Sequence, residues 1–214
     1  HLLDLTTQIC RTGNSPLSVE VFRLAIILLY CTGLRRGELV RLMVGDYDPS
    51  ERILTIRRSK FHKTRFLPLP EDITSEMEKF LQKRSAVRPQ PSGDIPLLCN
   101  RSRNWRGYTG EGLAGGIIRL FHSANIRKPD GRTPRVHDLR HSFAVNALLR
   151  WYHEGIDVEN KLPYLAAYMG HVSVRSTQYY LHFFEPLRTL ASRRFAQRYG
   201  QLITAVNNGE RMRS

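Results

Sequence analysis

Long apolar runs are scarce in this 214-residue sequence. The run from Leu24 to Tyr30 falls far short of the roughly 20 residues a membrane span needs, and Arg23 interrupts it upstream. No signal-peptide pattern is present, and a chain that opens on His1 is expected to be part of a longer one. Cysteine is scarce as well. Cys10, Cys31 and Cys99 are odd in number, widely spaced and never in a C-x-x-C arrangement. That excludes a disulfide framework and a cysteine-based zinc site, and fits reduced thiols in a cytosolic protein. Acidic residues are the third shortage: 19 Asp and Glu stand against 33 Lys and Arg, a formal net charge of +14. A field of that sign attracts polyanions, of which nucleic acid is the commonest, although ribosomal proteins and membrane-surface binders reach such values too.

Hydrophobic residues make up 41% of the chain and charged residues 24%, enough apolar material for a real core. Residues 17 to 31 read as a largely buried helix with Val21, Leu24, Ala25 and Leu28 on one stripe, broken by Thr32-Gly33. A short helix is expected over Arg35 to Met43, ended by Gly45-Asp46. The period then changes. Residues 52 to 57 and 64 to 69 read as two strands joined by a basic hairpin, Arg58 to Lys63, with Pro68 and Pro70 stopping the second.

Further on, residues 71 to 84 read as an amphipathic helix, Leu97 to Asn100 as a short strand, and residues 113 to 125 and 136 to 153 as helices. Pro163 suits the first turn of a helix over 163 to 169, which Gly170 ends. Residues 173 to 182 read as short helical or irregular chain. From Pro186 on, Leu187, Ala191, Phe195, Tyr199 and Leu202 line one face of a basic helix. The fold class is α+β, mostly helical with a small antiparallel sheet.

Two familiar patterns are set aside. Gly110, Gly112 and Gly115 spell G-x-G-x-x-G, but no strand immediately precedes them, so a flexible loop is expected rather than a dinucleotide site. His137 and His141 in HDLRH have the spacing of zinc ligands, but Arg140 would sit beside both and repel a dication.

The same segment suits an anion instead. His137 and Arg140 stand three apart on a helix face, and imidazole and guanidinium together can donate charge-assisted hydrogen bonds to a phosphate. By itself H-x-x-R also describes an ordinary solvated or capping pair. Arg35, at a helix start, works against the helix dipole unless an anion docks there or Glu38 holds it in a helix pair. Lysine on a β-turn is usually a solvated charge, yet Lys60 or Lys63 at a hairpin tip could protonate a departing alkoxide. Gly170 is followed by His171, and Tyr179-Tyr180 come nine residues after. Adjacent aromatics are more often packing. A tyrosine becomes a nucleophile only where cations stabilise the phenolate and a base takes its proton.

Taken in order, TGLRRGEL, a hairpin lysine, HDLRH, MGH and TQYYLH resemble the tyrosine recombinase (phage integrase, XerC/XerD-like) family over about residues 17 to 184. The resemblance implies that Arg35, Lys60, His137, Arg140, His171 and Tyr180 are catalytic and that Glu38 supports Arg35. Tyr180 is preferred to Tyr179 by its spacing from His171. It further implies attack of Tyr180 on a DNA phosphodiester to give a 3′-phosphotyrosyl link, with no metal or other cofactor. Double-stranded DNA bearing recombination sites, a homotetramer on that DNA, no membrane, and a cytoplasmic, nucleoid-associated location are the corresponding expectations. A type IB topoisomerase-like DNA-relaxing enzyme and a non-enzymatic DNA-binding protein are the alternatives. Residues 1 to 184 are expected to form the catalytic domain and 185 to 214 a tail that contacts its own or a neighbouring subunit. The family's N-terminal helical clamp domain is expected to lie outside this chain.

Overall fold

The computed structural model describes residues 17–57, 64–87, 93–100 and 104–171, together with Leu3 and Thr6. Lys60, Lys63, Tyr179, Tyr180 and the basic tail lie outside the described residues.

The helix α1 (Ser18–Thr32) is the centre of the described fold. Val21, Leu24, Ala25 and Leu28 are buried as the stripe predicts, but Phe22, Ile26, Ile27 and Leu29 are buried as well. A helix apolar almost all round must be covered on several sides. Here α3 (Glu71–Val87), α4 (Gly110–Ser123) and α5 (Val136–His153) all pack on it. Gly33 ends α1 in the left-handed conformation, φ 63°, with the Phe143 ring against it.

The second helix, α2 (Arg36–Leu39), is shorter than predicted. The chain leaves it because Leu42 and Val44 pair with the 93–97 segment: Leu97 N–H donates to Leu42 O at 2.8 Å and Val44 N–H to Ile95 O at 2.9 Å. The Asp46 carboxylate, accepting the Met43 N–H at 2.9 Å, closes a 3₁₀ turn over Val44–Asp46. An antiparallel sheet follows in the order β1 (Tyr47–Asp48), β2 (Ile53–Ile56), β3 (Arg65–Pro68). Leu54 faces Leu67 and Tyr47 in register, so all three point into the core. A second small sheet pairs β4 (Cys99–Asn100) with β5 (Arg106–Gly107).

Two expectations are corrected. Gly110, Gly112 and Gly115 are not a flexible loop but the first turns of α4. Thr109 caps that helix, its Oγ1 accepting the Gly112 N–H at 3.1 Å, and Leu113, Ile117, Leu120 and Phe121 are buried against α1. A cap and an apolar face outweigh the roughly 1 kcal/mol that each glycine costs a helix. Likewise α6 begins at Val158, not Pro163, and runs to Met169. Asp157 caps it by accepting the Glu159 and Asn160 N–H groups at 2.9 and 3.3 Å. Pro163 therefore sits inside the helix and removes one backbone bond there. Helices α5 and α6 share a smaller core of Ala144, Ala147, Leu148, Leu162, Leu165 and Met169.

Candidate active site

The site is built around the C-terminal end of α6. A helix leaves its last four carbonyl groups without intrahelical donors. Gly170, in the left-handed conformation (φ 66°), turns the chain so that its N–H meets Ala167 O at 3.0 Å and the His171 N–H meets Ala166 O at 2.8 Å. That satisfies two carbonyls. The next three are each taken by a different arginine. Arg65 Nε donates to Tyr168 O at 3.0 Å, Arg140 Nη2 to Met169 O at 2.9 Å, and Arg35 Nη2 to Gly170 O at 2.7 Å. The three come from β3, α5 and the residue preceding α2, and converge where the helix dipole is negative.

Arg140 is 2% exposed, among the largest fully buried side chains. Burying a guanidinium is costly unless its charge is met. Its Nη1 donates to Gly33 O at the end of α1, so one cation lies between two helix C-termini. Glu38 is the nearby buried anion, its side chain 1% exposed. Its Oε1 accepts from Arg35 Nη1 at 2.8 Å and Arg65 Nη1 at 2.9 Å. Its Oε2 accepts from the Arg35 N–H at 3.0 Å and Arg65 Nη2 at 2.8 Å. Burial alone would push this carboxyl up; the hydrogen bonds from Arg65 and from the Arg35 backbone prevail and hold it down, at about 2. The helix-pair reading of Arg35 and Glu38 is therefore correct as geometry. Arg35 keeps 26% of its side chain exposed and is not sequestered by the pair.

His171 stands just after the arginine-capped turn. Burial first, then Arg140, Arg35, Arg65 and His137, push its pKa down to about 4. It is thus a neutral imidazole at pH 7 in a strongly positive setting. His137, at the start of α5, is also depressed, by burial and then by His141 and Arg140. The His137 and His141 rings meet edge to face, centroids 4.8 Å apart. Asp138, the third member of that motif, accepts the Arg135 N–H at 2.9 Å and pairs with Lys128 at 2.8 Å, so it caps the helix. No metal-holding cluster of His, Cys, Asp or Glu exists among the described residues. The opposite side of α5 is different: Asp138, Leu139 and Ser142 line a mainly apolar cavity of about 520 Å³ with Ile26, Ile27 and Phe121.

The structure therefore brings Arg35, Glu38, Arg140 and His171 together, with His137 near enough to act on His171 electrostatically. It adds Arg65, which sequence reasoning passed over as an ordinary strand residue. A signal was available. Leu67 had to face the core, so period two turns Arg65 the same way, and an inward arginine needs an anion.

Comparison with known proteins identifies the fold and the family. The described fold is that of recombinase catalytic domains. A crystal structure of XerA recombinase matches with a TM-score of 0.66 at 23% identity, covering 90% of this chain and 61% of that one. XerH bound to difH DNA matches at 0.64 and 24%, covering 89% and 50%. Residues 5–185 match the phage integrase family model, and the chain belongs to that family. The Sinorhizobium fredii protein y4rE, named for an inferred integrase/recombinase role, is 34% identical over 193 residues, 90% of this chain and 60% of its own length. Tyrosine recombinase XerA of Pyrococcus furiosus is 33% identical over 159 residues, 74% of this chain and 49% of its own. The chain thus spans about half to 60% of the length of these relatives. No described helix is long and apolar enough to cross a membrane.

Proposed function

We propose that this chain is the catalytic domain of a site-specific DNA recombinase that cuts and rejoins strands through a 3′-phosphotyrosyl intermediate. The observation that carries it is the convergence of Arg35 and Arg140 on the adjacent Met169 and Gly170 carbonyls, beside His171. These residues are 105 positions apart in the chain and have no local reason to meet. Family membership supports the same reading.

In this mechanism the Tyr180 phenolate oxygen attacks the scissile phosphorus. The bond from phosphorus to the 5′-oxygen breaks, leaving a 3′-phosphotyrosine and a free 5′-hydroxyl. Arg35 and Arg140 stabilise charge gathering on the non-bridging oxygens through donors already held in place. Neutral His171 adds a further N–H donor. His137 receives the Tyr180 proton, and Lys60 delivers a proton to the leaving 5′-oxygen. The step uses no metal or nucleotide. A different 5′-hydroxyl attacking the phosphotyrosine reverses it, so strands exchange without loss of phosphodiester energy. Site-bearing duplex DNA is the partner, and four copies on two sites are the assembly. Residues 185–214 would link neighbouring copies, and the role is carried out in the cytoplasm on the nucleoid.

The test is a pool of nicked duplexes with randomised cores, incubated with the full chain and stripped in denaturant. Covalent protein–DNA adducts are expected. Tyr180→Phe should abolish them while DNA binding persists, and Tyr179→Phe should retain them. No adduct from any duplex, with binding intact, would favour a non-enzymatic DNA-binding protein. Relaxation of supercoiled DNA without pairing of sites would favour a topoisomerase.

A further inference from the structure

We propose that Arg65 is a positioning residue for strand cleavage, tying Glu38 and the Tyr168–Gly170 turn to the base of the β2–β3 hairpin. This rests on the recombinase reading above.

Each of the three guanidinium nitrogens of Arg65 is engaged. Nη1 and Nη2 grip the two Glu38 oxygens at 2.9 and 2.8 Å, and Nε holds Tyr168 O at 3.0 Å. Its side chain is only 11% exposed. A guanidinium that grips both oxygens of one carboxylate and a main-chain oxygen of another element links the two. It acts as a brace, because its fork is rigid and planar and fixes both things it binds. Glu38 in turn fixes Arg35 through Oε1 and through the Arg35 backbone. Removing Arg65 takes away two of the four hydrogen bonds on a carboxylate that is 1% exposed. It also frees Tyr168 O at the turn that carries His171. The hairpin enters through the same residue: Arg65 opens β3 and faces Ile56 of β2, and in the sequence the basic segment Arg58 to Lys63 joins the two strands. One side chain therefore ties together Glu38, the turn that precedes His171 and the first residue of β3. Lysine cannot replace it, since an ammonium is a point charge without a two-pronged face.

The experiment compares wild type, Arg65→Ala and Arg65→Lys in the full chain. The substrate is a nicked duplex recovered from the pool. Single-turnover adduct formation, the DNA Kd and the thermal midpoint are measured on each. The pH titration of His171 is followed by NMR, together with hydrogen exchange at Arg35 Nε. Arg65→Ala is expected to cleave about a hundredfold more slowly at saturating DNA, with Kd unchanged, as a misplacement on the order of 1 Å can cause. Its His171 midpoint should rise, because a positive neighbour is gone. Arg65→Lys should keep the wild-type midpoint yet remain at least about tenfold slow, separating charge from geometry.

Wild-type cleavage by Arg65→Lys, or a rate loss in Arg65→Ala that only follows its loss of folded protein, would overturn the proposal. Should Arg65→Ala not fold, Arg65→Lys decides alone on the same two outcomes. A wild type that forms no adduct sinks the recombinase reading instead. The brace is then judged by NMR: faster Arg35 Nε exchange in Arg65→Lys supports it, and unchanged exchange overturns it.

Discussion

Gly170 leaves the space that Arg65 fills: a Cβ on Gly170 would lie 2.7 Å from Arg65 Nη1. The glycine also has φ 66°, which L-residues adopt at a cost of about 1–2 kcal/mol. Gly170→Ala is therefore expected to strain the turn and to displace the Arg65 fork together. The thermal midpoint should drop by several degrees, and adduct formation should slow by more than the loss of folded protein explains. An alanine variant with wild-type stability and cleavage would show that the turn tolerates both changes.

Glu38 makes stability depend on acid. Its folded pKa, at about 2, lies below the ordinary 4.5, so its contribution is full above pH 4.5 and is lost as pH falls towards 2. The gap corresponds to on the order of 3 kcal/mol at neutral pH. Glu38→Gln should be destabilised by an amount of that order at pH 7, with the deficit shrinking near pH 2. Denaturant unfolding at both pH values checks it; an equal deficit at both would mean the charge is not the cause.

His171 should titrate near pH 4 in the free protein, since burial and its cationic neighbours oppose protonation. Its folded pKa is depressed below 6.5, so the unfolded chain binds more protons between those values and stability rises with pH across that window. A DNA phosphate placed against His171 would favour the imidazolium and move the midpoint up. NMR titration with and without duplex measures this. A midpoint unmoved by DNA would place the phosphate elsewhere.

The net charge of +14 sets an expectation for salt. A clamp that neutralises six or more phosphates loses about a thousandfold or more in affinity between about 50 and 200 mM salt. Fluorescence anisotropy on a short duplex gives the slope. A nearly flat dependence would mean that the basic residues do not face the backbone.

Much of the fold was legible because long periodic stretches decide themselves. The α1 stripe and the 136–153 helix are found within a residue of their expected ends. Short-range signals misled where tertiary packing overrode them. Three glycines read as loop are helical because Thr109 caps them and α1 buries the face that follows. Pro163 read as a start because prolines favour first turns, whereas Asp157 had already started the helix. In the site, the motif order marked Arg35, Glu38, His137, Arg140 and His171, and the structure gathers them. Arg65 escaped because its partners, Glu38 and the Tyr168 carbonyl, are 27 and 103 residues away in sequence. Lys60 and Tyr180 lie outside the described residues, so the structure leaves their placement to the proposed experiments.

The three arginines rest on main-chain oxygens at the end of α6, and every amino acid carries such an oxygen. Side-chain identity at positions 168 and 169 therefore matters to these two hydrogen bonds only through the path of the backbone. Three guanidinium positions become dependent on a single coordinate, the place where one helix stops. A one-residue insertion within α6 would misalign all of them at once, while many substitutions on its exposed face, such as at Tyr164, would leave their alignment intact.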